Sequence, residues 1–122
     1  MGPFAILSVL LRFPDTDVVD DRREVARGML RMPAGPARDA LLHFISWWSA
    51  QPLDELQRRF TATFDFSKRT SLDLTYYAYG DRRQRGLALL RLRQRYRAGG
   101  LELEGPELPD HLPVVLEFVD AC

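Results

Sequence analysis

Cysteine is almost missing from this chain: the single copy, Cys122, is the last residue. One thiol cannot close an internal disulfide, which excludes disulfide-stapled secreted scaffolds and suits a reducing compartment. Histidine is scarce too. His43 and His111 stand far apart, in no spacing that zinc sites use. No apolar run reaches the roughly 18–20 residues a membrane span requires. The start, MGPFAILSVLLRF, has no basic stretch before its apolar part and no small-residue cleavage site after it, so it reads as a core helix rather than a signal peptide. Ile6 stands where a myristoylation signal needs Ser or Thr. GxSxG, Walker-type and GxGxxG patterns are also lacking. These absences point to a cytoplasmic protein that is not an enzyme, holds no metal or cofactor of its own and has no stable membrane insertion.

What is present suits one soluble domain over residues 1–122, with 46% hydrophobic and 28% charged residues. The formal net charge is zero, yet its distribution is uneven. Residues 68–97 carry nine basic groups against Asp73 and Asp81, while 101–122 carry six acids and no Lys or Arg. Such segregation marks either a basic helix that binds nucleic acid or two segments that neutralise each other; the second reading is adopted here. It predicts contacts between the Arg82–Arg97 helix and residues 101–120.

Hydrophobic spacing predicts an all-α bundle of about seven helices. The first runs from Pro3 to Arg12 and stops at Pro14. The second starts at a cap on Asp15 or Asp17 and runs to about Leu30. Met32-Pro33-Ala34-Gly35-Pro36 is a loop. Ala37 to Ser49 is apolar nearly all round and is expected at the centre of the bundle, with His43 packed in the core or at its boundary. Pro52 opens a helix with the stripe Leu53, Leu56, Phe60 and Phe64. Thr70 or Ser71 caps a helix reaching Tyr79. The alternation of Leu72 to Tyr76 would suit a strand, but no second strand is evident to pair with it. Gly80-Asp81 separates this segment from a helix over Arg82 to about Ala98, which Gly99-Gly100 ends. After the loop Leu101–Pro109, Asp110 caps a last helix holding Leu112, Val115, Leu116, Phe118 and Val119.

The search for chemistry leaves a binding surface rather than a catalytic centre. Neighbouring residues on a helix do not face each other, so Asp110 and His111 do not make an acid–base dyad. Tyr76, Tyr77, Tyr79, Trp47 and Trp48 provide aromatic area of the kind that anchors partners. Beside them the acidic loop Glu102–Asp110 suits a basic peptide.

TSLDLTYYAYGDRRQRG, then ALLRLRQRYRAGGLEL, then ELPDHLPVVLEF, resemble the NarJ family. These are the assembly chaperones (delta subunit) of respiratory nitrate reductase, within the wider TorD- and DmsD-like redox enzyme maturation proteins. LSVLLRFP and RRFTATFDFSKRTS extend the likeness over nearly the whole chain. The resemblance implies an all-helical, non-catalytic protein. It implies binding to the N-terminal leader, a remnant twin-arginine signal, of the catalytic (alpha) subunit, during molybdenum cofactor insertion and before membrane docking. Carried over by position, the family's elements fall on Thr75, Tyr76, Tyr77, Gly80, Asp81, Arg83, Pro109, Asp110 and His111; the peptide-binding candidates are Tyr76, Tyr77, Gly80, Asp81, Arg83, Asp110 and His111, with Glu107 of the acidic loop. Asp110→Ala and His111→Ala are then expected to weaken peptide binding with helicity kept. Family members usually continue past VLEF with further helices; their lack would leave an apolar face open to homodimer formation or domain swapping.

Overall fold

Prolines and acids start the helices where the sequence places them. Pro3 opens α1 (Pro3–Leu10), and the Asp15 side chain accepts from Val18 N (2.9 Å) to cap α2 (Thr16–Asp20). The computed structural model describes residues 1–80 and 82–121; Asp81 and Cys122 lie outside them. The remaining helices are α3 (Arg22–Arg31), α4 (Pro36–Ala50), α5 (Leu53–Phe64), α6 (Thr75–Tyr79), α7 (Arg83–Ala98) and α8 (Leu112–Ala121), with a 3₁₀ turn at Lys68–Thr70. The all-α expectation holds, with eight α-helices among the described residues. The predicted helix ending near Leu30 is divided into α2 and α3 at Asp21.

The core is built around α1. Ile6 and Val9 meet Val18 of α2, Val25 and Met29 of α3, Trp48 of α4 and Leu56 of α5. Gly28 lets α3 come close: a Cβ there would sit 2.9 Å from Ile6 Cδ1 and 3.0 Å from the Met1 carbonyl. The most extensive helix pair is α1 with α8, the first and last helices of the chain. Polar groups fix their register. Ser8 Oγ, fully buried, donates to the Pro113 carbonyl (2.8 Å). Asp120 Oδ1 accepts from Ala5 N (3.2 Å), one of the donors that a helix start leaves without an internal partner. Arg12 pairs with Glu117 at the exposed edge.

Two expectations are corrected. The α4 helix is peripheral: only Trp48 is buried, His43 is exposed, and Leu42, Phe44 and Trp47 remain 42%, 40% and 37% exposed. An all-round apolar helix needs cover on every side, and here the chain covers only the side facing α3 and the core. The Thr70–Tyr79 helix is reduced to Thr75–Tyr79, because Asp73 bridges to His111 and the backbone of Leu72 and Leu74 pairs with residues 110–112, a segment expected only to cap a helix.

The expected contact of the arginine-rich helix with the acidic tail is present, but it is mainly apolar. The Tyr96 ring lies 4.8 Å from that of Phe118, its hydroxyl donates to the Pro109 carbonyl, and Leu101 N donates to the Tyr96 carbonyl (2.8 Å). Among the described residues, Arg85 and Arg97 of α7 come within 4 Å of a carboxylate, whereas Arg91, Arg93 and Arg95 stay exposed. The charge segregation therefore survives folding.

Burial, and then the nearby Asp110 carboxylate, raise the Tyr96 pKa above the ordinary value. The folded state holds this proton more tightly than the unfolded chain does. Stability from that preference is full below a pH of about 10 and falls as pH rises past it. Tyr96→Phe is expected to cost about 1–2 kcal/mol at neutral pH, because it leaves the Pro109 carbonyl unpaired. It should also flatten the alkaline loss. Urea unfolding of both proteins at neutral and alkaline pH checks this, and parallel alkaline declines would contradict it.

Candidate functional site

The segments on either side of α7 meet in a polar knot. Leu72–Leu74 runs beside Asp110–Leu112, with Asp73 and His111 forming a single antiparallel bridge. Leu74 N donates to the Asp110 carbonyl (3.1 Å) and Leu112 N to the Leu72 carbonyl (2.8 Å). The Asp110 side chain is fully buried, and its Oδ2 accepts from Thr75 N (2.9 Å) and Thr75 Oγ1 (2.6 Å). Asp110 therefore caps α6, across 35 positions of sequence, and not the helix that follows it. The α6 helix lacks a cap of its own because Leu74 occupies that place.

Arg85, in the first turn of α7, completes the knot. Its Nε donates to Thr75 Oγ1 (3.1 Å), and its Nη2 lies 3.6 Å from Asp110 Oδ2 and 3.8 Å from Asp73 Oδ2. Its guanidinium sits 5.9 Å from the centre of the Tyr76 ring. His111 Nδ1 is 3.3 Å from Asp73 Oδ1 and its Nε2 is 3.8 Å from Glu107 Oε2. This arrangement positions segments; it offers no nucleophile and no oxyanion-stabilising group around a space for a substrate.

The predicted site residues are thus divided. Asp110 is enclosed, and Tyr76 is half-buried beneath Arg85. Tyr77 is 56% exposed, its hydroxyl within hydrogen-bonding distance of the Ser71 (2.7 Å) and Arg69 (3.0 Å) carbonyls. Gly80 ends α6 at φ +57, a left-handed conformation that favours glycine, and Arg83 is exposed at the start of α7. Asp81 lies outside the described residues. His111 and Glu107 face a different space.

That space is an acidic cleft of about 380 Å³ between the α1–α2 link and the 101–114 segment. Asp15, Asp17, Glu104, Glu107 and Glu117 line it, with His111, and Phe13 and Val114 give it an apolar part. A second cleft, of about 230 Å³, is almost wholly apolar and lies between the end of α1, α4 and α5. Leu11, Pro14, Phe44, Trp47, Phe60 and Phe64 shape it. Phe13, from the acidic cleft, packs edge-on against Phe60 at 5.5 Å, so the two clefts share a wall. The sequence singles out Trp47 as a partner-facing aromatic, puts Phe44 on a central helix and gives Phe60 and Phe64 only as an apolar helix stripe. Aromatic stripes on α4 and α5 were visible; which of them the chain leaves uncovered was not.

No helix among the described residues is long and apolar enough to cross a membrane, and none of their His, Cys, Asp and Glu clusters suits a metal ion. The fold is shared with a solved structure described as a redox enzyme maturation protein. That protein, from Archaeoglobus fulgidus, superimposes with a TM-score of 0.69 at 24% identity, over 95% of this chain and 67% of its own. The sequence narrows the class further. Residues 30–122 match the nitrate reductase delta subunit family, and this chain belongs to it. It is 34% identical over 119 residues to a Bacillus subtilis protein named as a nitrate reductase molybdenum cofactor assembly chaperone, NarJ, covering 98% of this chain and 65% of the relative. Escherichia coli NarJ, which carries the same description, is 34% identical over 121 residues, covering 98% of this chain and 51% of its own length. The chain thus spans between half and two thirds of these relatives.

Proposed function

We propose that this protein is a cytoplasmic assembly chaperone for a nitrate reductase. It holds the N-terminal leader of the catalytic subunit while the molybdenum cofactor is inserted and before the complex docks at the membrane. Family membership and the names of the relatives support the client; the wall shared by the two clefts supports the mode. A leader segment lays apolar side chains between α4 and α5 and turns basic side chains toward Asp15, Asp17, Glu104 and Glu107. Binding of this kind takes its affinity from a few buried aromatic anchors and its orientation from charge. His111 and Glu107 touch the client, and Tyr76, Gly80 and Asp110 hold the segments that present it; Tyr77 and Arg83 line neither cleft.

Calorimetry with a synthetic peptide of the catalytic subunit's N-terminus tests the reading. Saturable binding is expected, weakened about tenfold by Trp47→Ala or Phe60→Ala. Glu104→Gln with Glu107→Gln should weaken it mainly at low salt. No heat from a folded sample would argue against a leader-binding role.

A further inference from the structure

A second surface lies away from both clefts, on the outer side of α7. This helix spans Arg83–Ala98, contains no acidic residue, and buries only Tyr96 fully. Ala88, Leu89 and Leu92 lie half-buried on the same side as Tyr96. On the opposite side Leu87 and Leu90 are each 51% exposed. Residues three or four apart are neighbours on a helix, which places Arg83, Leu87, Leu90 and Arg97 along one outward stripe. Exposed Arg91 and Arg93 flank that stripe on its two sides.

Apart from the exposed Arg97–Glu102 pair at 3.9 Å, this face breaks local rules with no compensating ion pair among the described residues. Arg91 and Arg95 stand four apart, as do Arg93 and Arg97, and like charges at that spacing repel. Arg83 adds positive charge at the helix start, where the dipole already favours an anion. Two leucines remain in solvent between the arginines. A sequence that accepts such conflicts commonly does so where it meets something else.

We propose that the outer face of α7 docks an acidic amphipathic helix of a protein partner, one carrying a leucine-sized apolar stripe flanked by carboxylates. Charge complementarity selects this occupant, and the leucine pair distinguishes it from the alternatives. Nucleic-acid phosphates would engage the arginines and leave Leu87 and Leu90 wet. A bilayer requires a broader apolar face than two leucines without aromatic neighbours. An acidic helix answers both features: its apolar stripe covers Leu87 and Leu90 while its carboxylates meet Arg91 and Arg93. None of the residues lining the two clefts belongs to α7, so a client leader and this helix can bind together.

The test uses the whole chain and a designed, dye-labelled helical peptide with a leucine stripe flanked by glutamates. Comparison peptides carry Gln for every Glu, or Ser for every Leu. Anisotropy should show binding by the Leu/Glu peptide alone, weakening as salt rises. Arg91→Gln with Arg93→Gln, and separately Leu87→Ala with Leu90→Ala, should each weaken it about tenfold. The arginine pair should leave the urea midpoint unchanged or raised, which separates lost docking from lost folding. Equal binding of the Gln peptide, indifference to either pair of substitutions, or no binding overturns the proposal. So does tighter binding to phosphatidylglycerol vesicles or duplex DNA, or a dimer in sedimentation velocity that buries α7. Leader binding, measured separately, stands or falls independently of these outcomes.

Discussion

Asp110→Ala is expected to lower the stability of this domain by about 3–5 kcal/mol, the range for removing one partner of a buried charge pair. The carboxylate is fully buried and is the sole cap of α6, holding both Thr75 N and Thr75 Oγ1. Its removal leaves those groups without an acceptor and leaves Arg85, whose side chain is 19% exposed, facing only the more distant Asp73. Asp110→Asn keeps an acceptor for Thr75 but loses the charge, and should fall between the two. Urea unfolding followed by circular dichroism gives the comparison; an alanine midpoint equal to that of the parent would show that α6 does not need this cap. The result bears on function as well. With Asp110 enclosed, an alanine variant that no longer binds a leader peptide has lost the knot that presents the site. Its helicity should fall too, contrary to what the sequence alone leads one to expect. His111→Ala, at the rim of the acidic cleft, is the substitution that reports on contact.

Ile6→Ala should cost about 2–5 kcal/mol, as truncations of fully buried aliphatic side chains do. Ile6 is completely buried in a cluster fed by five helices, and its Cδ1 occupies the space against Gly28 that allows α3 to approach. Backbone atoms of Met1 and a glycine cannot move in to fill the cavity, so the cost should lie toward the upper end of that range. Leu42→Ala, on the outer side of α4, deletes similar apolar area at a site 42% exposed and should cost far less. Thermal or urea unfolding of the pair decides this, and equal losses would mean that the core is not centred on α1.

Periodicity and punctuation carried most of the helices. Pro14, the Met32–Pro36 breakers, Gly80 and Gly99-Gly100 mark ends that the fold keeps. What spacing does not encode is which apolar face another part of the chain will cover. The stripe on α4 reads the same whether it faces the core or solvent, so Phe44 is expected inward although it borders a cleft. Leu72–Leu74 failed for a related reason. A strand-like segment was discounted for want of a partner, and the partner, Asp110–Leu112, had been assigned a local capping role. Capping residues are recognisable by type, but Asp110 and Asp120 serve helices 35 and 115 positions away, and sequence proximity gives no hint of that. The pieces of the candidate site, His111, Glu107 and Trp47, were visible singly; the shared wall at Phe13 that brings their clefts together depends on the tertiary fold.

The joining of α1 to α8 has a consequence for biosynthesis. Ala5 is capped by Asp120, and Ser8 is satisfied by Pro113, across 115 and 105 positions. The α1 helix therefore cannot be completed until α8, more than a hundred residues later, has been translated. At roughly 5–20 residues per second, the apolar side of α1 waits on the order of ten seconds for its cover. Contacts of such high sequence separation also slow the search that follows release. During that interval the newborn chain exposes the kind of apolar surface that it is proposed to shelter in a client.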